Sequence, residues 1–95
     1  MDTIVFSPPI RDTFYYSDGT ISDHLNTQKV LHRIGGPAVE WSNGDTSWFI
    51  NGKHHREDGP AVENSNPDQW YYHGKQIDCK TNEEFLRLLK LKAFW

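Results

Sequence analysis

A single cysteine, Cys79, stands among the ninety-five residues, so no disulfide can close within the chain and a reducing, intracellular setting is expected. Cations are not in excess either. Ten Lys and Arg face thirteen Asp and Glu, a net charge of −3. Direct binding of duplex nucleic acid, which relies on clustered cations, is therefore not expected. Long apolar runs are missing, and the strongest, at the C-terminal end, is broken by Arg87, Lys90 and Lys92. Neither a membrane span nor a secretory leader is visible, so the expected location is cytoplasmic. There is no Gly-rich phosphate loop and no Gly-x-Ser-x-Gly elbow, which argues against an enzyme.

Aromatic residues are plentiful. Four Trp, four Tyr and five Phe make 14% of a chain that is 36% apolar, so a single domain over residues 1–95 would build its core from a few large rings. A repeat organises the middle. His32-Arg33-Ile34-Gly35-Gly36-Pro37-Ala38-Val39-Glu40 returns as His55-Arg56-Glu57-Asp58-Gly59-Pro60-Ala61-Val62-Glu63. With one gap opposite Ser47, residues 32–53 and 55–75 agree at 13 of 22 positions, with a period of 23. Such self-similarity marks a supersecondary unit stacked on its neighbour.

Each unit reads as a hairpin. Residues 37–41 alternate, Ser42-Asn43-Gly44-Asp45 supplies a turn, and residues 46–50 are strongly β-prone before Asn51-Gly52. The second unit repeats this with a Ser65-Asn66-Pro67-Asp68 turn and a second turn at His73-Gly74. So short a unit must pair antiparallel, because parallel pairing needs long crossovers. Upstream, Phe14–Thr20 resembles a worn half-repeat with an Asp-Gly turn, Ile4-Val5-Phe6 suggests an edge strand, and residues 21–31 suggest a loop or a short turn of helix. Downstream, Thr81-Asn82-Glu83-Glu84 forms a capping box, and helix is expected over 81–94. The expected fold is mainly β (α+β): an antiparallel β-meander of repeated hairpins at 32–77, preceded by strands and a loop at 1–31, with one C-terminal α-helix.

The pattern His-Arg-x-x-Gly-Pro-Ala, then a strand, a turn, Trp, Asn-Gly-Lys and His-Arg-x-Asp-Gly-Pro-Ala resembles repeats of small bacteriophage and giant-virus proteins. It is similar to MORN-type repeats in length and hairpin form. The resemblance spans residues 32–77 and implies a phage-encoded repeat protein. The first copy has Ile34-Gly35 where the second has Glu57-Asp58, so an acidic contact at that turn is expected to be lost there.

Five histidines raise the question of metal. His32 and His55 recur at the same place in each unit, which points to packing within the repeat, and no metal or cofactor is expected. His54 and His73 fall at turns and are expected to be solvated. The structural repeat positions are His32, Arg33, Gly36, Pro37, Trp48, His55, Arg56, Asp58, Gly59, Pro60 and Trp70. Asp45, Asp58 and Asp68 sit in turns, where carboxylates bond local backbone.

Simple alternation places Val39, Trp41, Trp48, Ile50, Val62, Trp70 and Tyr72 on a core face. The opposite face then carries Ala38, Glu40, Phe49, Ala61, Glu63, Gln69 and Tyr71, of which Glu40, Phe49, Glu63 and Tyr71 make an acidic, aromatic surface suited to a basic protein partner. Helix residues Leu91, Phe94 and Trp95 are further contact candidates, toward the target or toward a second copy in a homodimer. The expected function is a non-enzymatic protein-binding module, a phage inhibitor that occludes a host enzyme or an antiviral defence complex such as a CRISPR effector. The alternatives are a self-assembling structural repeat protein, or a sponge for a signalling nucleotide built on Arg33 and Arg56.

Overall fold

The computed structural model describes residues 11–63 and 67–91. The expected strand at Ile4-Val5-Phe6 lies outside the described residues. Within them the chain is mainly β and antiparallel, closed by one helix. The strands are β1 (Thr13–Tyr15), β2 (Ile21–Ser22), β3 (Val39–Glu40), β4 (Thr46–Ser47), β5 (Phe49–Ile50), β6 (Lys53–His54), β7 (Val62–Glu63), β8 (Trp70–Tyr72) and β9 (Lys75–Ile77), followed by α1 (Asn82–Leu91). A five-stranded sheet has the order β2-β1-β3-β4-β7, and β5–β6 and β8–β9 stand as separate hairpins.

The meander is thus antiparallel throughout but does not run as one continuous sheet. The β-prone run 46–50 divides at Trp48, whose N–H leaves its own hairpin to reach Ala61 O at 2.7 Å. Its carbonyl still accepts from His55 N–H at 3.2 Å. One residue thus serves two pairings, and the strand changes sheet there.

Two kinds of turn drive the meander. At Asn51-Gly52 and His73-Gly74 both residues have positive φ (50° and 81°, 49° and 84°), as two-residue type I′ hairpins require. Their strands pair Ile50 with Lys53 and Tyr72 with Lys75. Ser42-Asn43-Gly44 is different. Only Gly44 has positive φ, Gly44 N–H donates to Trp41 O, and Trp41 N–H donates to Asp45 O, both at 2.9 Å. That is a three-residue loop, which Tyr16, Gly19 and Thr20 reproduce in the upstream half-repeat. Ser47 pairs with Val39, while Gln69 bridges Val62. The one-residue shortening of the second unit therefore falls between Val62 and Gln69, and not opposite Ser47.

The repeated His-Arg-x-x-Gly-Pro-Ala string builds a slot for a guanidinium. Arg33 lies 4.0 Å over the Tyr15 ring and Arg56 lies 4.0 Å over the Trp48 ring. Each Nη1 donates to the proline carbonyl four residues on, Pro37 O or Pro60 O, at 3.2 Å. The opposite face of each guanidinium meets a glycine. A Cβ on Gly36 would sit 3.0 Å from Arg33 Cζ, and one on Gly59 would sit 2.9 Å from Arg56 Cζ. Neither glycine has positive φ, so close approach is what requires glycine here. Ala38 and Ala61, the next residues in the string, are wholly buried and accept the N–H groups of Tyr15 and Trp48.

The core has two parts. Phe14, Tyr16 and Val39 are buried, with Leu31 and Phe49 against them. Trp70, Ile77 and Phe85 form the second cluster, backed by Tyr72, Leu88 and Leu89. The helix joins it through Phe85, whose full burial contributes about 1.5–3 kcal/mol. Its start keeps one arm of the expected box, with Glu84 N–H donating to Thr81 Oγ1, while the Glu84 carboxylate reaches one residue past Thr81 and accepts from Lys80 N–H. Asn82 Oδ1 also accepts from Trp70 Nε1 at 2.9 Å. Trp48 and Trp70 hold equivalent positions, as the alignment implies, but no ring contact joins them. Trp48 is covered by Arg56, and its Nε1 is buried without a hydrogen-bond partner among the described residues.

A Gly59→Ala substitution tests the slot. The added methyl must push Arg56 off Trp48, so stability should fall by about 1–3 kcal/mol, measured by urea denaturation. Gly44→Ala serves as a reference, because its cost comes from positive φ alone with no atom within 4 Å of the new Cβ.

Candidate functional site

Most polar groups of the repeat are consumed inside it. Glu40 accepts from the Tyr15 hydroxyl at 3.1 Å and from Arg33 Nη1 at 3.5 Å. Burial, then the Glu40 bond, raises the pKa of that hydroxyl. Glu63 accepts from Arg56 Nη1 at 2.8 Å and from Thr46 Oγ1 at 3.1 Å. Arg56 also donates through Nε to Asp58 at 2.8 Å. The first unit has Gly35 in that place, with φ 82° and no side chain to accept, so the acidic contact is absent there as the alignment implies.

Phe49 and Tyr71 do not form an open aromatic face. The His54 ring lies between them, with centroids 4.1 Å from Phe49 and 4.7 Å from Tyr71. Strict alternation fails along 46–50, where the strand switches sheets at Trp48. It fails elsewhere too: Trp41, assigned to the core face, is 38% exposed, while Ala38 and Ala61 of the other face are fully buried beside the strands whose N–H groups they accept. His54 is also not simply solvated at a turn: burial lowers its pKa from the ordinary 6.5. Leu31 takes the corresponding place in the first unit, since Leu31 O accepts from Gly52 N–H as His54 O accepts from Gly74 N–H.

That correspondence reveals an insertion. Trp48 to His54 spans seven residues, whereas the equivalent stretch from Tyr15 to Leu31 spans seventeen, ten more. The extra chain supplies β2, which pairs with β1 (Phe14 with Ser22, Tyr15 with Ile21), and the loop beyond it. Reading 21–31 as a loop or a short turn of helix is corrected at Ile21–Ser22. An interrupted period is the sequence signal that could have located this insertion.

The inserted loop is tied down from below. The buried Tyr16 hydroxyl donates to His24 O at 3.0 Å and accepts from Asn26 N–H at 2.8 Å. Ser17 N–H donates to Val30 O at 2.9 Å, and Asn26 Oδ1 accepts from Gln28 N–H. Lys29 Nζ meets Asp18 at 2.9 Å and Thr20 Oγ1 at 3.0 Å. The Thr20 hydroxyl, with Lys29, holds the Asp18 carboxyl well below the usual carboxylate range. Above this frame the insertion exposes apolar side chains. Ile21 is 62% exposed, Leu25 54% and Val30 45%. Ile34, just beyond, is exposed too. Preordered backbone with outward aliphatic groups can bind an apolar surface at a low entropic cost.

The helix contributes a smaller exposed pair, Leu86 and Leu91. Phe94 and Trp95, expected beside Leu91, lie outside the described residues. A hollow of about 720 Å³ is lined by residues including Asp68, Gln69, Trp70, Ile77, Asp78 and Cys79. Burial first, then Glu84 and Asp78, push the Cys79 thiol up to about 11, so it stays protonated at neutral pH and is a poor nucleophile. Among the described residues no group of three His, Cys, Asp or Glu side chains is placed to hold a metal ion, and no helix is long and apolar enough to cross a membrane. No family model, curated protein or solved structure matches this chain.

Two measurements follow from this geometry. Tyr16→Phe deletes the hydroxyl that serves both sides of the loop. It should cost about 1–3 kcal/mol and speed amide exchange at Asn26, with the Trp48 amide unchanged. For His54, the folded state favours the neutral ring, so its stabilising contribution is complete above the unfolded value near 6.5 and is lost as pH falls below it. His54→Leu, which installs the residue of the first unit, should make the melting temperature less sensitive to pH between about 7.5 and 5.

Proposed function

We propose that this chain is a non-enzymatic protein-binding module in which the repeats form a scaffold and the insertion at 21–31 forms the contact surface. The observation that carries the reading is the pinned loop, which holds Ile21, Leu25 and Val30 outward while the chemistry of the repeat motif is turned inward. Insertions in repeat scaffolds commonly emerge on the binding face. Residues 1–79 hold eleven acidic and six basic side chains, a balance of −5, which favours a target with a basic surface around an apolar contact. The resemblance to phage repeats gives this reading its setting: an inhibitor that occludes a host enzyme or an antiviral defence complex such as a CRISPR effector. The nucleotide-sponge reading loses support, since Arg33 and Arg56 are each engaged by a proline carbonyl and a glutamate of their own unit and by an aromatic ring of the preceding stretch. Self-association keeps one observation in its favour, the exposed Leu91 at the end of α1.

The test begins with affinity capture from host lysate, mass spectrometry, and reconstitution with the purified target. Ile21→Thr with Leu25→Asp should weaken that complex by roughly tenfold or more without changing the melting temperature. Leu91→Asp should leave it unchanged. The opposite pattern, with an altered molecular mass in solution, would move the contact to the helix and favour self-association.

A further inference from the structure

The recurring histidines do more than fill space. His32 Nδ1 accepts the N–H of Asn51 at 2.9 Å, and His55 Nδ1 accepts the N–H of His73 at 2.8 Å. In both cases the donor is the first residue of a type I′ turn, a non-glycine residue held at φ 50° or 49°. A side chain there resists this conformation. Each histidine therefore holds the tip of the hairpin that follows it.

We propose that His32 and His55 form an acid-released latch, each securing its own turn, 51–52 or 73–74, only while its imidazole is neutral. A neutral imidazole that accepts at Nδ1 carries its proton on Nε2. At His55 that Nε2 faces Glu57 Oε2 at 3.1 Å, which fixes the tautomer. The second proton must then enter at Nδ1, directly against the N–H of His73. Two donors would face each other, and the turn would lose its bond.

The surroundings of His55 sharpen the effect. Its ring stacks on the His73 ring with centroids 4.2 Å apart and lies 4.9 Å from Tyr72. Protonation of both histidines places two cations face to face. Glu57 is the acidic group recorded against His55 among the described residues; it attracts the cation but sits on the Nε2 side, so it cannot restore the lost acceptor. His32 has no ion pair among the described residues, and its backbone N–H is held by Tyr15 O. His54 titrates nearby between Phe49 and Tyr71 but offers no ring nitrogen to either turn.

The experiment is amide hydrogen exchange by NMR on the full chain, in a His54→Leu background that removes the other buried imidazole. Rates are normalised to intrinsic exchange at about pH 7.5 and about pH 5, a range that brackets ordinary imidazole titration. Protection at Asn51 and His73 should fall roughly tenfold or more, while Tyr15 and Trp48 amides, which bond to Ala38 and Ala61, keep theirs. His32→Asn with His55→Asn should abolish the loss, because an amide oxygen can replace the Nδ1 acceptor and does not titrate. If protection survives acid in the histidine protein, or all four amides fall together, the latch is refuted. Should the Asn variants fail to fold, imidazole nitrogen shifts decide: a proton on Nδ1 of either ring at neutral pH overturns the proposal, and an unprotonated Nδ1 that titrates in step with turn exposure sustains it.

Discussion

In each unit a guanidinium lies flat between an aromatic ring and a glycine that offers no side chain, and the packing of successive units is organised by that stack. Arg33 and Arg56 are held by the proline carbonyl of the same string and by Glu40 or Glu63 on the strand that follows it. An exposed cation over a ring contributes about 0.5–1 kcal/mol, and more when water is excluded. Its structural effect is larger than that figure suggests. It joins the aromatic strand before the arginine to the Gly-Pro-Ala strand after it, so the hydrogen bond from Tyr15 to Ala38, or from Trp48 to Ala61, forms in one register.

The hairpins and the helix were legible in the sequence because their signals are local. Asn51-Gly52, His73-Gly74, Asp18-Gly19 and the Thr81 box each determine a turn or a cap within a few residues. Asn43-Gly44 was harder, since the same dipeptide suits a two-residue or a three-residue loop, and the pairing of Trp41 with Asp45 selects the longer. The division of strand 46–50 had no local mark. It arises because Trp48 N–H finds Ala61, thirteen residues away, and alternation rules carry no information about such a partner.

The candidate site was legible only in part. Glu40 and Glu63 read as outward charges because they alternate with valines, yet arginines seven residues earlier wrap back to meet them. The insertion was hidden by its own polarity and by the wear of the upstream half-repeat, which has kept its Gly turn and aromatic strand but little else. Only the matching carbonyls of Leu31 and His54 bring the two stretches into alignment. Once aligned, they show the molecule's division of labour. The repeated residues bond to one another, and the unrepeated ones carry the outward aliphatic groups.

The helix α1 meets the final hairpin through Trp70, Ile77 and Phe85, a cluster separate from the one under the first strands. The end of the array is therefore sealed by contacts peculiar to the last unit. The junction between units uses the slot and the turns, and both are encoded within a single 23-residue string. Duplication of that string upstream of the seal would lengthen the array without requiring new residues at either end. Length is thus a quantity that this architecture admits in whole 23-residue steps, with the terminal seal and the inserted loop left as they are.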